Sequence, residues 1–573
     1  MNKSSIKKTI HNISGGKAVV ESLKTERVKH VFGLIGSATM EIFDALYDTK
    51  DIKFIGVRDE RTGTHMADGY ARATGLPGVM IAGQNGPGAT NLVTGVAQAS
   101  AAFSPIVSIA GALSSNHVFR NEFQEVDQQS LFEPITKKVW TVTQAHQIQE
   151  MFHEAFLVAM TPRRGPVHLN LPRDILSTST KFQNFQTLES SHSQNIPSAS
   201  TDEINKAAKI LRNSERPVII AGGGIKNTGR YAEVLELAKT LNAPIVTSAG
   251  HGDAIPFDNQ LNAGQMGPRG NPIASRLTKD ADVILALGTR LGFNSTFYSY
   301  ENINKQAEII QVELEPKAIG SHFPVALGIC ADAPTVAQQL RKIIVNIEKR
   351  AEVQDWINRF KNERTLYLEN RDAEAISLKN NQLIQPSSLF KELRDVLPKN
   401  VAITLDAGTL CLQATDALNY WEPPCLFTPL DFGLVGFSFA CGLGIKVARP
   451  DRPVVSLMGD GGFGMTISEL STAVQYGINT VTIVMNNQCW GAEKAYQRDY
   501  FEERYIGADI NSPPFDKVAE LYGAKGFRVE CISEINEAVH AALNCDRPAV
   551  VDITVDPKAL RSFRRDSFKH RAK

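Results

Sequence analysis

The chain has 573 residues and a mass of 62.7 kDa, enough for three domains of roughly 150–200 residues each. Its 61 Lys and Arg balance 61 Asp and Glu, so the global positive charge that marks nucleic-acid or anionic-membrane binding is absent, although a local pocket for a small anion would not show in such a total. No apolar stretch follows the N-terminal lysines and no run of about 18 apolar residues occurs, so neither a signal peptide nor a transmembrane helix is expected. The seven cysteines, an odd number with no Cys-x-x-Cys pair, suit reduced thiols in a cytoplasm better than a disulfide scaffold or zinc site.

The first α/β region runs from Gly15 to Asp174, within a domain set at 1–176. Short apolar runs (His30–Gly36, Val79–Gly83, Pro105–Gly111, Gly165–Pro172) alternate with helical patterns such as Glu60–Thr74. Apolar runs of this length between helices predict a parallel sheet covered on both faces. The polar segment Ser177–Ala199 predicts a surface linker. A second domain, 200–347, carries strand candidates Pro217–Ile225, Ala243–Gly250, Val283–Leu291 and Ile309–Pro316. A charged helical stretch, Glu348–Ala373, leads into a third domain at 385–560, with strand candidates Val401–Gly408, Pro453–Gly462, Thr480–Gln488 and Pro548–Asp556. The expected fold is α/β: three doubly wound parallel-sheet domains, of which the first and third look alike.

The third domain carries the strongest chemical signal. Gly459-Asp460-Gly461-Gly462 directly follows one apolar strand, and Asn486-Asn487 ends the next. Consecutive strands of a doubly wound sheet bring their carboxyl ends to one edge, where ligands bind. Asp460 and Asn487 can then offer oxygens to one hard cation, and Mg2+ shared with diphosphate oxygens is the sensible occupant. The glycines let backbone approach phosphate, and the following helix offers its first amides. Gly-Asp-Gly alone reads equally well as an ordinary turn; the pair, at a separation of 27 from Asp460 to Asn487, is far more specific.

That pair resembles the signature of thiamine diphosphate enzymes, and the run Glu60–Arg72 is similar to the E-x-x-x-x-x-M-A-x-G-Y-A-R pattern of their acetolactate synthase-like branch. Taken alone, Glu60 with Thr62, Thr64, Asp68 and Arg72 would read as a solvated helix face. The resemblance implies instead that Glu60 exchanges a proton with N1′ of the cofactor's aminopyrimidine, a role suited to a carboxyl group desolvated beside a ring. It implies that the Cys489 backbone carbonyl is a third cation ligand, with no role for the thiol. It places Gln124, in Phe123–Gln128, near the reacting carbon, and makes Val435 the apolar prop under the cofactor. Gly36, Gly83, Asn85, Gly86 and Gly408 join the cofactor-binding set, the middle three in the strand-to-helix loop Gly83–Asn91. A homodimer or homotetramer is implied, since cofactor halves come from domains of different chains.

Within the branch, Trp490-Gly491-Ala492-Glu493-Lys494 resembles the sulfoacetaldehyde acetyltransferases. His251–Pro256, Leu287–Thr296, Ile35–Met40, Asn121–Gln128 and Ser562–Phe568 resemble the same group. The implied reaction is sulfoacetaldehyde plus phosphate giving acetyl phosphate plus sulfite. Two anions must then be held, and arginine forks suit tetrahedral oxyanions; Arg564 and Arg565 are the candidates, with Lys494 and Arg120 behind them. Two segments depart from that group, Ala101–Pro105 and Asp406-Ala407-Gly408-Thr409, both expected to border the active site. The alternative is an acetolactate synthase-like carboligase acting on pyruvate, with FAD, not otherwise expected, between Gly222–Gly224 and Gly288–Arg290. An alternative of another class is a non-catalytic regulatory protein on the same scaffold; the joint presence of Glu60, Asp460 and Asn487 argues against it.

Overall fold

The computed structural model describes residues 11–182, 196–268, 270–345, 350–563 and 567–571. It contains three six-stranded sheets, and every pair of neighbouring strands in them is parallel. The chain gathers into two compact units, one formed by the N-terminal region with residues 443–449 and 471–478, the other by the remainder.

In the first unit the strands lie in the order Lys53–Gly56, His30–Leu34, Gly78–Ala82, Ile106–Ala112, Val167–Pro172, Val139–Thr141. Numbered along the chain, that order is 2-1-3-4-6-5. The C-terminal sheet of the second unit runs Leu426–Phe427, Ala402–Leu405, Val454–Gly459, Val481–Asn486, Ala549–Thr554, Lys525–Val529, which is again 2-1-3-4-6-5. The likeness expected between the first and third domains therefore extends to strand order. The central sheet differs: Asn262–Gln265, Ile245–Thr247, Pro217–Ala221, Val283–Leu287, Glu308–Glu313, Leu327–Cys330, or 3-2-1-4-5-6. That is the order of dinucleotide-binding folds. Burial explains the apolar runs: Gly78–Ala82, Val167–Pro172, Pro217–Ala221 and Val481–Asn486 are buried at every position, as strands covered on both faces must be.

One expectation is corrected here. The start of the expected linker is a strand: Ser179–Phe182 pairs antiparallel with His11–Ser14, tying the end of the domain to its beginning. Residues 183–195, the rest of that segment apart from 196–199, lie outside the described residues. The charged connector is a single helix, Ala351–Ser377, and the expected start at Glu348 also lies outside them.

Within the second unit, Asp253 accepts hydrogen bonds from the amides of Cys425 and Leu426 at 2.8 and 2.9 Å, and its other oxygen pairs with Lys226 at 2.9 Å. This buried arrangement fixes the edge strand of the C-terminal sheet to the central domain. All seven cysteines are free thiols. Among the described residues, no helix is long and apolar enough to cross a membrane.

Candidate functional site

In the C-terminal sheet, strand order reverses beside Ala402–Leu405 and Val454–Gly459, and ligands of doubly wound folds bind outside the carboxyl ends at such a point. Asp406 follows the first of these strands and Asp460 the second. A cavity of about 510 Å3 opens there, lined among others by Gly408, Val435, Asp460, Asn487, Trp490 and Arg290. The two strands that carry Asp460 and Asn487 are hydrogen-bonded neighbours, Met458 pairing with Val484 and Gly459 with Met485. Both side chains are buried, at 1% and 5% exposure.

Asp460 Oδ2 accepts a hydrogen bond from the Ser512 hydroxyl at 2.7 Å. Its Oδ1 is buried and finds no hydrogen-bond partner among the described residues. Burial raises the pKa of Asp460, opposed by the Ser512 hydroxyl and by neighbouring backbone amides including that of Asn487. A buried carboxylate oxygen without a donor is costly unless a cation takes it. One carboxylate, one amide oxygen and a backbone carbonyl form an oxygen set suited to Mg2+, so these residues fit the expected metal. The helix that Asp460 opens is short, Asp460–Gly464, so its amides amount to a single turn.

The glycines of the cavity have separate reasons to be there. Gly408 has φ of +135° and a side chain there would project into open space, as it would at Gly459. At Gly462 a Cβ would fall 2.3 Å from Asp406 Oδ2 and 3.3 Å from Val435 Cγ1, and at Gly461 it would fall 2.5 Å from the Trp490 ring. Asp406, not among the expected site residues, organises this wall. Its carboxylate is buried and accepts from the amides of Gly436, Phe437 and Ser438 at 2.9, 2.8 and 3.3 Å, which fixes the turn that presents Val435. Burial pushes its pKa up to about 6 despite those amides.

Within the first unit, Glu60 opens the helix Glu60–Thr74 and is 4% exposed. Thr62, Thr64 and Asp68 are buried as well, so the solvated-face reading does not hold; Asp68 is neutralised by Arg72 at 2.6 Å. Glu60 Oε2 accepts from Asn91 Nδ2 at 3.0 Å, and a Cβ on Gly88 would sit 3.2 Å from Oε1. Burial raises the Glu60 pKa, and the Asn91 hydrogen bond partly offsets it.

The loop Gly83–Asn91 also meets the segment carrying Gln124. Asn85 Nδ2 donates to the Gln124 carbonyl at 2.8 Å, and a Cβ at Gly86, φ +54°, would fall 2.6 Å from that oxygen. Gln124 itself adopts φ of +65°. Gly36 and Gly83 face each other so closely that a Cβ on Gly83 would lie 2.2 Å from the Gly36 nitrogen; close backbone packing accounts for both. Ala101–Pro105 ends the helix Pro87–Ala101 and leads into the strand at Ile106. It therefore lies at the amino edge of the sheet, opposite the carboxyl edge that holds Glu60 and Gly83, and the expectation that it borders Glu60's site is corrected.

Of the expected anion-binding residues, Arg120 is exposed on its loop and Lys494 pairs with Asp509. Arg564 and Arg565 lie outside the described residues. In the central domain, Gly224 packs its amide onto the Gly288 carbonyl at 3.0 Å, so these glycines serve a close contact between two strand-to-helix turns. Asp406 and Asn91 lay within segments expected at the site but were given no role of their own, and Ser512 escaped sequence reasoning. Asp406 had a signal, since it ends an apolar strand just as Asp460 does. Ser512 had none, being 52 positions from its partner.

Three family models match the chain: "Thiamine pyrophosphate enzyme, N-terminal TPP binding domain" over residues 13–131, the central domain over 204–340, and the "C-terminal TPP binding domain" over 406–553. Similar curated proteins include a probable acetolactate synthase large subunit of Methanococcus aeolicus, 32% identical over 96% of this chain and 93% of its own. A sulfoacetaldehyde acetyltransferase of Castellaniella defragrans is 32% identical over 98% of this chain and 96% of its own. Acetolactate synthase isozyme 3 large subunit of Escherichia coli is 30% identical over 95% of each.

Proposed function

Since the chain belongs to the acetolactate synthase-like branch of the thiamine pyrophosphate enzymes, we propose that it transfers the acetyl unit of sulfoacetaldehyde to phosphate, releasing sulfite. The observation that carries this choice is the run Trp490–Lys494, which resembles the acetyltransferases and whose tryptophan is packed against Gly461 at the cavity wall. When bound, thiamine diphosphate supplies a carbon nucleophile and an electron sink for the acyl fragment.

The residues then divide the work. Asp460, Asn487 and the Cys489 carbonyl would hold Mg2+, whose charge would favour the diphosphate. Gly408, Gly459, Gly461 and Gly462 would leave room for the diphosphate, and Val435, its turn held by Asp406, would support the cofactor. Glu60, its pKa raised by burial, keeps a proton available at N1′ of the pyrimidine. Asn85 and Gly86 hold the backbone of Gln124, and that side chain orients substrate at the reacting carbon. Arg564 and Arg565 receive the sulfonate and then phosphate, with Arg120 and Lys494 as outlying cations; Lys494 would have to exchange Asp509 for the substrate. The domain borders 1–176, 200–347 and 385–560, assembly as a homodimer or homotetramer, and a cytoplasmic setting complete the reading.

A second reading, acetolactate formation from pyruvate, is favoured by one observation: relatives named acetolactate synthase match as closely as those named acetyltransferase. In that case FAD would be sought at the central sheet, whose strand order is that of dinucleotide-binding folds. The deciding experiment supplies thiamine diphosphate, Mg2+ and phosphate with sulfoacetaldehyde, and in parallel with pyruvate. Sulfite and acetyl phosphate in equal amounts are expected; acetolactate without sulfite would overturn the acetyltransferase reading.

A further inference from the structure

Beyond the ligands themselves, the expected cation site has a supporting clasp built from a separate stretch of chain. Residues Ala508–Ser512 run back along Gln488–Trp490. The Trp490 amide donates to Ala508 O at 2.7 Å and the Ile510 amide to Gln488 O at 3.0 Å, flanking an antiparallel pairing of Cys489 with Asp509. In such a pairing the residue between the two bonded neighbours turns its own N–H and C=O to the opposite side. Cys489 is that residue, so its carbonyl faces away from the 508–512 segment. At the end of the same segment, the Ser512 hydroxyl holds Asp460 Oδ2 at 2.7 Å.

Ser512 is itself fixed. Its amide donates to Gln488 Oε1 at 3.1 Å, and Gln488 Nε2 donates to Asn486 Oδ1 at 2.8 Å. Gln488 reaches both from a left-handed backbone, φ +56°, a conformation that a residue with a side chain adopts at some cost. Asn486 is anchored in turn by Asp552, to which its Nδ2 donates at 3.0 Å. The chain of contacts thus runs from the buried Asp552 to Asp460, whose buried Oδ1 has no donor among the described residues.

We propose that Ser512, set in place by Gln488, is a positioning residue for the divalent cation: it ties down Asp460 Oδ2 so that Oδ1 is presented to the metal. This rests on the reading that Asp460 is a ligand. Without the hydroxyl, the carboxylate gains rotational freedom that cation binding must remove. Loss of such supporting hydrogen bonds costs about 10–100-fold in metal affinity in other sites.

The test measures cofactor binding, not turnover. Protein freed of metal and cofactor is given thiamine diphosphate and titrated with Mg2+, following intrinsic fluorescence, to which Trp490 at the site contributes. Ser512→Ala is expected to raise the half-saturating Mg2+ concentration about 10-fold, Ser512→Thr to restore it, and Gln488→Ala to raise it to a lesser extent. Asp460→Asn is the control. Loss of Mg2+-dependent binding in Asp460→Asn with unchanged Mg2+ demand in Ser512→Ala would overturn the clasp alone. Unchanged binding in Asp460→Asn would overturn the ligand assignment and the clasp with it. Gln488 is exposed and joins no core, so its variant carries the test if Ser512→Ala does not fold; an unchanged Mg2+ demand there would then overturn the clasp.

Discussion

Glu60 and Asn91 form a matched pair: a buried carboxylate that accepts a hydrogen bond from the Asn91 side chain at 3.0 Å, which works against the burial that raises its pKa. Asn91 stabilises the ionised form, so its removal must push the pKa further up. In Asn91→Leu the alkaline limb of the kcat/KM profile, where Glu60 loses the proton it supplies, should therefore move to higher pH; the readout is the pH profile of the two proteins side by side. An alkaline limb that stays in place would mean that Glu60 does not set it.

Replacing Glu60 itself with Gln keeps the shape and the hydrogen bond but removes the titrating group. Thiamine diphosphate affinity is expected to stay within about 3-fold, while kcat falls by about 10²–10⁴-fold, the usual worth of a general acid or base. Equilibrium binding and steady-state rates on the same preparation separate the two effects. Undiminished turnover would remove Glu60 from the chemistry.

Asp406 makes a stability prediction with a definite sign. Its folded pKa, about 6, lies above the ordinary aspartate value of 3.8. Between those two values the folded state holds a proton that the unfolded state has released, so this group's contribution to stability falls as pH rises through that window. Asp406→Ala leaves three backbone amides without their acceptor, which costs on the order of 1–3 kcal/mol for each buried donor. The variant should melt earlier at pH 7 and lose part of the fall in stability between pH 4 and 6. It should also bind cofactor weakly, because Val435 loses its support. Melting curves across that pH range check the first two expectations and a cofactor titration the third.

These residues also show what could be read from the chain alone. Asp460 and Asn487 were legible because each follows an apolar strand buried along nearly its whole length, and neighbouring strands force their ends together. Edge strands such as Leu426–Phe427 and Lys525–Val529 were missed: the first is two residues long and held by Asp253, the second mostly half exposed. The helix Glu60–Thr74 was placed to the residue, but its environment was not. Its polar sequence suggested solvent, whereas twelve of its fifteen residues are buried, an outcome set by tertiary packing and the Asp68–Arg72 pair. Ser179–Phe182 looked like linker because polar residues suffice for a two-stranded edge pairing. Ser512, and the bond from Asn91 to Glu60, were invisible because a hydrogen bond between distant positions leaves no pattern in spacing.

Trp490 and Gly461 yield a prediction that depends on both residues. A Cβ at Gly461 would lie 2.5 Å from the Trp490 ring, closer than any relaxed contact. Gly461→Ala must therefore displace the indole or the turn that carries Asp460, and cofactor affinity should fall at least 10-fold. Trp490→Leu alone removes the wall and should cost less. If the contact is the cause, the double variant Gly461→Ala/Trp490→Leu should bind better than Gly461→Ala alone, because the smaller side chain takes up the added methyl. The double-mutant cycle would then show a coupling between residues in direct contact, for which 0.5–3 kcal/mol is typical. Additive losses would mean that Gly461 is required for approach of the diphosphate to its backbone and not for the packing of Trp490, a distinction that Mg2+-dependent thiamine diphosphate titrations of the four proteins resolve.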